Sequence, residues 1–295
     1  MTDGALKPKV LEAIGATKLR ARSVVEGILG GMHRSPHKGS SVEFAEYKEY
    51  APGDDVRHID WRAYGRKDRY YIKQFEDETN VRAFLLVDSS GSMDFAFEDH
   101  PTKMQAASTL AASLAWLLLR QGDAPGLMLF DERPGFWLPP STKRAQLDDI
   151  CTVLDGVKAE GRTSVNAAVS RVAEQVHARS VVFVISDFLD TSDDMLTLAR
   201  VLRRKRMEVV LFHVMDRAEL DLPFEGLTVF EGLESDGELL VDPDDIRAAY
   251  QAEMEAHLAR ITEVCRSADI EQYRVMTDEP LDAPIRAFIQ KRARG

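Results

Sequence analysis

Two cysteines in 295 residues, Cys151 and Cys265, are too few and too far apart for a disulfide framework. Neither has a CxxC partner, which argues against a thiolate zinc site, and a reducing, cytoplasmic setting suits the chain. An excess of positive charge is missing as well. The 38 basic residues are outnumbered by 49 acidic ones, for a net charge of -11. Broad binding to nucleic acid or to an anionic membrane needs a basic footprint, which this balance argues against. A local basic cluster, Arg203-Arg204-Lys205-Arg206, reads as the last turn of a helix, where cations complement the dipole. Long apolar runs are also scarce. The longest uncharged stretch, residues 104–119, falls short of the ~20 apolar residues of a bilayer span and carries Gln, Ser and Thr. The first eight residues have no apolar signal-peptide core. No Gly-x-x-x-x-Gly-Lys-Ser/Thr, Gly-x-Gly-x-x-Gly or Gly-x-Ser-x-Gly is present, which removes the common nucleotide cradles and the serine-hydrolase elbow. His58 has no second ligand beside it, and the other six histidines show no zinc spacing.

What remains is ordinary globular material, 44% apolar and 29% charged. At about 150 residues per domain the length predicts one or two domains. Residues 1–80 form one region and residues 81–295 another. In the first, residues 18–29 predict a short amphipathic helix ended by Gly30-Gly31. Residues 33–41 read as a loop, and residues 42–50 and 70–77 as strands. From Val81 the pattern becomes alternating strands and helices. Strands are expected over residues 82–87, 126–130, 181–186, 209–214 and 272–276, with a short antiparallel edge at 136–138. Helices are expected over residues 103–120, 141–154, 164–177, 193–206, 243–267 and 283–292. The runs at 84–87 and 181–185 are apolar on both faces, as in a mostly parallel sheet covered by helices. The expected fold class is therefore α/β, a doubly wound sheet with an N-terminal helix and β-rich extension. Residues 226–241 read as a hairpin-like insertion with Gly232, Asp236 and Gly237 at its turn.

One constellation carries chemistry. Asp88-Ser89-Ser90-Gly91-Ser92 follows directly on the first buried strand. Ser186-Asp187 closes the strand at 181–186, and Gly161-Arg162-Thr163-Ser164 precedes a helix. In a doubly wound sheet ligands bind beyond the carboxyl ends of the strands, where strand order reverses. The first and fourth strands are neighbours there, which puts Asp88 and Asp187 on one rim. Ser90, Ser92 and Thr163 can reach the same place. Hard oxygen donors suit Mg²⁺ or Mn²⁺. With two charged groups and three hydroxyls, such an ion keeps positive charge and an exchangeable water, and so attracts a carboxylate from another molecule. Each segment alone could be a helix cap or turn; their joint placement favours the metal. A phosphohydrolase with an aspartate nucleophile is the alternative, but it needs an acid two residues further on, where this chain has Ser90.

Asp88-x-Ser90-x-Ser92, Thr163 and Asp187 resemble the metal-ion-dependent adhesion site of von Willebrand factor A domains, with Arg162 in place of the second Gly of that family's Gly-Gly-Thr loop. Upstream, Val42-Glu43-Phe44 and Glu49-Tyr50-x-x-Gly53-Asp54-Asp55-x-Arg57-x-Ile59-Asp60-Trp61 resemble the signature of the bacterial domain of unknown function 58 family. The resemblance implies a non-enzymatic protein-interaction module. It also implies a MoxR-type AAA+ ATPase as partner and a chaperone-like role in maturing or remodelling other proteins. Physically, Asp54, Asp55, Arg57 and Asp60 could form a charged clamp holding the N-terminal region to the sheet or a docking surface for a partner; the alternation of Ile59 and Trp61 as buried anchors favours the clamp.

Overall fold

The computed structural model describes residues 16–32, 47–49, 71–73, 81–131, 134–162, 180–189, 201, 207–234 and 237–292. The chain divides into two compact units, residues 1–32 with 81–295, and residues 33–80. In the smaller unit β1 (Tyr47–Glu49) pairs antiparallel with β2 (Tyr71–Lys73). The rest of the two strands expected there, the loop at 33–41 and the segment 53–61 lie outside the described residues.

The larger unit opens with α1 (Ala16–Met32), followed by β3 (Arg82–Asp88), α2 (Lys103–Arg120), β4 (Ala124–Phe130), β5 (Pro134–Leu138), α3 (Gln146–Gly156) and β6 (Ser180–Ser186). After these come β7 (Glu208–Met215), α4 (Arg217–Asp221), β8 (Thr228–Glu231), β9 (Glu238–Val241), α5 (Pro243–Ser267), β10 (Glu271–Met276) and α6 (Asp282–Arg292). Six strands form one sheet in the order β10-β7-β6-β3-β4-β5, parallel except for β5 at the edge. The expected doubly wound α/β architecture is therefore present, and β3 and β6 are neighbours as the site requires.

Alternation along β3 divides the core. Leu85 and Val87 face one side with Leu110, Leu114, Phe183 and Phe212. Phe84 and Leu86 face the other with Met128, Phe130, Val184 and Ile261. Helix α2 starts at a capping box, in which Thr102 Oγ1 accepts from Gln105 N and Thr102 N donates to Gln105 Oε1. Its Ala106, Ala107, Ala111 and Ala112 are buried, and their small side chains let the helix lie close to its neighbours.

Helix α1 differs from expectation in two ways. It continues through Gly30 and Gly31 to Met32, because Ala21, Val25 and Ile28 are buried on one face. That packing outweighs about 1 kcal/mol of helix propensity lost per glycine. It also belongs to the sheet-bearing unit: Arg20 Nε donates to Thr109 Oγ1 of α2 at 2.9 Å, and Asp155 Oδ1 of α3 accepts from Thr17 N at 2.9 Å. Helix α3 begins at Gln146, later than residue 141, because the Gln146 amide is anchored to the carbonyls of Pro125 and Pro139 at 2.8 and 2.9 Å. The helices expected at 164–177 and 193–206 fall almost wholly outside the described residues. The insertion between α4 and α5 is a hairpin, with Thr228 paired to Val241 and Glu231 to Glu238.

Candidate metal centre

Asp88 is the last residue of β3, and Asp187 directly follows β6. Parallel pairing in register carries both carboxylates to the same end of the sheet. Beyond Asp88 the chain turns sharply. Ser90 N donates to Asp88 Oδ1 at 2.9 Å, and a short 3-10 turn runs from Gly91 to Asp94. This turn brings the Ser90 and Ser92 hydroxyl oxygens to 3.1 Å. Ser92 also acts on Asp187, helping to hold that carboxyl down. Four of the five expected groups, Asp88, Ser90, Ser92 and Asp187, thus meet. Thr163 lies outside the described residues. The segment leading to it is nonetheless tied to the loop: Gly91 N donates to Gly161 O at 2.8 Å and Glu160 N to Ser89 O at 2.9 Å. Gly161 takes φ +82°, a left-handed conformation that suits glycine.

The site is more enclosed than a rim on an open sheet edge. Asp88, Ser90 and Asp187 are buried, while Ser92 is half-buried. Ser186 Oγ donates to Asp88 Oδ2 at 2.5 Å. At Gly91 any Cβ would overlap the Leu233 carbonyl oxygen, so the tip of the β8–β9 hairpin lies against the metal loop. Phe188, next to Asp187, is buried with φ +53°. A bulky residue in the left-handed region is strained. Its amide is held by Ser186 Oγ at 3.0 Å.

Lys103 is the residue that reading the sequence missed. Its ammonium is completely buried, 2.7 Å from Asp187 Oδ2 and 2.5 Å from Glu219 Oε1. Glu219 Oε2 in turn accepts from Asp216 N at 2.9 Å, and Asp216 is bonded to Thr277. A signal was available in the sequence. Lys103 is the sole charge between Thr102 and Leu119, and it sits in the first helical turn, where the dipole disfavours a cation. Only a carboxylate partner brought from elsewhere in the fold makes that placement favourable.

The charges shift one another. Burial first, and then the nearby Asp187 charge, push Asp88 up from 3.8 to about 7, against hydrogen bonds from Ser186 and Ser90. Burial also pushes Asp187 up, but Lys103 outweighs it and holds that carboxyl below its ordinary value. Burial pulls the Lys103 ammonium down, yet Asp187 and Glu219 together raise it above the usual lysine value. Behind Asp187, burial drives His213 down to about 4, so its ring is neutral against Phe188 at 5.5 Å.

The donor set fits a small divalent ion. Two ligands at right angles on Mg²⁺, each at about 2.1 Å, are about 3.0 Å apart, close to the Ser90–Ser92 spacing. A buried carboxyl as basic as Asp88 gains from a cation in place of its proton. Among the described residues no three His, Cys, Asp or Glu side chains cluster as a metal site. The candidate therefore rests on mixed carboxylate and hydroxyl donors.

A family model described as "Protein of unknown function DUF58" matches residues 46–260. An uncharacterized protein of Mycobacterium tuberculosis (strain ATCC 25618 / H37Rv) is 27% identical over 294 residues, covering 98% of this chain and 91% of that one. Among solved structures, the conserved hypothetical protein BatB from Bacteroides thetaiotaomicron matches with a TM-score of 0.52 at 16% identity, over 73% of this chain and 100% of that one. An aerotolerance-related membrane protein from Bacteroides fragilis matches with a TM-score of 0.50 at 17% identity, with the same coverage. The fold is von Willebrand factor A-like. Among the described residues no helix is long and apolar enough to cross a membrane.

Proposed function

The chain belongs to the family described as "Protein of unknown function DUF58", and from that premise we propose that it is a cytoplasmic, Mg²⁺-dependent protein-interaction module without catalytic activity. The observation that carries this reading is the 3.1 Å approach of the Ser90 and Ser92 hydroxyls beside the buried pair Asp88 and Asp187. Asp88, Ser90, Ser92 and Asp187 would hold the ion, with Thr163 as the fifth ligand. Bound there, Mg²⁺ supplies a Lewis-acidic position for an acidic side chain of a protein ligand. Lys103 neutralises Asp187 from the protein side, which leaves the ion less shielded by negative charge. Ser90 argues against phosphoryl chemistry: it stands two residues after Asp88, where a general acid is needed, and its hydroxyl is engaged by Ser92.

The partner we propose is a MoxR-type AAA+ ATPase, served in the maturation or remodelling of client proteins. Family membership and the motif resemblance support this assignment. The test is affinity capture of the full chain with a purified MoxR-type ATPase from the same cell, in Mg²⁺, in EDTA and after Mg²⁺ is restored. Retention that follows the cation supports the reading. Equal retention in EDTA overturns metal-bridged recognition, and no retention in any buffer overturns the partner.

A further inference from the structure

The β8–β9 hairpin carries most of the large apolar side chains that stand exposed among the described residues: Leu227, Val229, Leu233, Leu239 and Leu240, each between 47% and 71% accessible. Its two faces differ. On the inner face Phe230 packs edge-on against Phe224 at 5.2 Å, and Phe224 against Phe97 at 5.5 Å. Arg247 of α5 donates to the carbonyls of Leu222 and Phe224 at 3.0 and 2.8 Å and fixes the base. The hairpin is therefore rooted in the fold at its base and, through Leu233, at the metal loop.

The outer face pairs Val229 with Leu240 and, one step of the same face further on, Glu231 with Glu238. Directly opposed like charges destabilise a hairpin, and exposed aliphatics beside them gain nothing from water. Each strand also has an edge that no described strand covers. Such an edge is a template for a further strand. A strand added at either edge places alternate side chains on the outer face, one beside Val229 or Leu240 and the next beside Glu231 or Glu238, according to the strand it pairs with.

We propose that the outer face and open edge of the β8–β9 hairpin dock an extended protein segment bearing an aliphatic residue and, two positions away, a lysine or arginine. The aliphatic side chain packs on Val229 or Leu240, whichever borders the added strand, and the long cationic side chain reaches towards the opposed carboxylates of Glu231 and Glu238. This contact needs no metal and stands apart from the proposed function of the Asp88 site.

The test uses the full chain and three fluorescein-labelled decapeptides of alternating threonine. The first has leucine and lysine at facing positions, the second glutamate for the lysine, the third serine for the leucine. Fluorescence anisotropy is expected to show saturable binding of the first, at least about tenfold weaker binding of the other two, and no change in EDTA. In the double variant Glu231→Lys/Glu238→Lys the preference is expected to switch to the glutamate peptide. Absence of saturable binding by the lysine peptide overturns the proposal, as does equal binding of the lysine and glutamate peptides or a preference that the charge swap leaves unchanged. Loss of binding in EDTA places the peptide at the metal site instead and also overturns it. Light scattering of the wild type and of Val229→Ser/Leu240→Ser completes the test. A wild-type dimer that becomes monomeric in the variant makes a second copy the occupant, against the proposal.

Discussion

The Lys103 ammonium lies 2.7 Å from Asp187 Oδ2, and both side chains are almost wholly removed from solvent. A helix-start lysine and a strand-end aspartate, 84 residues apart, form a buried ion pair. Removing one partner of a buried ion pair leaves an uncompensated charge. Lys103→Met is therefore expected to lower unfolding free energy by about 3–5 kcal/mol, read as a shift in the urea midpoint. Because Asp187 and Glu219 are both stranded by that change, Lys103→Met/Glu219→Gln is expected to recover part of the loss. A double variant no more stable than the single one contradicts the charge argument.

The ligands should rank by charge. Asp88→Asn keeps the shape of a buried side chain while removing its negative charge, and calorimetric titration is expected to show no Mg²⁺ binding. Alanine is the poorer probe here, since Asp88 accepts from both Ser90 N and Ser186 Oγ and its loss strands those donors. Ser92→Ala and Thr163→Ala each remove one neutral oxygen and are expected to weaken binding by about tenfold, the equivalent of about 1.4 kcal/mol. Equal loss in Thr163→Ala and Asp88→Asn would sink this ranking.

Much of this arrangement was legible in the sequence for physical reasons. The strands β3 and β6 show as apolar runs because both of their faces are covered, and α2 and α5 match the expected spans 103–120 and 243–267. At α5 the start is marked by Asp242 capping Asp244 N, with Pro243 at the first helical position. The two acids could be placed together because strand-end positions follow from topology. What sequence periodicity does not encode is depth. The burial of Asp88, the pairing of Lys103 with Asp187 and Glu219, and the approach of Leu233 to Gly91 are all long-range. Helix α1 shows the same limit: Gly30-Gly31 is a stop signal locally, and packing of Val25 and Ile28 overrides it.

The contact at Gly91 gives a prediction of its own. Gly91→Ala puts a methyl group into the Leu233 carbonyl, so the hairpin tip or the metal loop has to move. Overpacking of this kind is expected to lower stability by about 1–3 kcal/mol. It is also expected to speed proteolysis between Glu231 and Glu238 relative to the wild type. Limited digestion followed by mass mapping checks it, and an unchanged cleavage pattern at that tip would show that the neighbours yield without release.

The last prediction concerns acid. Asp88 is raised to about 7 in the folded protein from 3.8. Between those values the folded state holds a proton that the unfolded state has lost, so this group's stabilisation is full below about pH 4 and is lost as pH rises towards 7. His213 works the other way. Its folded value of about 4 lies below the ordinary 6.5, so its contribution is present above 6.5 and is lost as pH falls towards 4. The two opposite slopes overlap and largely cancel between pH 4 and 6.5. Asp88→Asn deletes one of them. In chelator, the stability of the variant relative to wild type is expected to rise by up to about 1.4 kcal/mol per pH unit across this window, measured by urea unfolding at fixed pH values. With metal present the same proton becomes a competitor: wild-type Mg²⁺ affinity should fall by up to about tenfold per pH unit below 7 and level off above it. Parallel stability curves for the two proteins, together with a pH-independent Mg²⁺ affinity, would mean that Asp88 carries no proton near neutrality and that burial beside Asp187 does not govern this carboxyl.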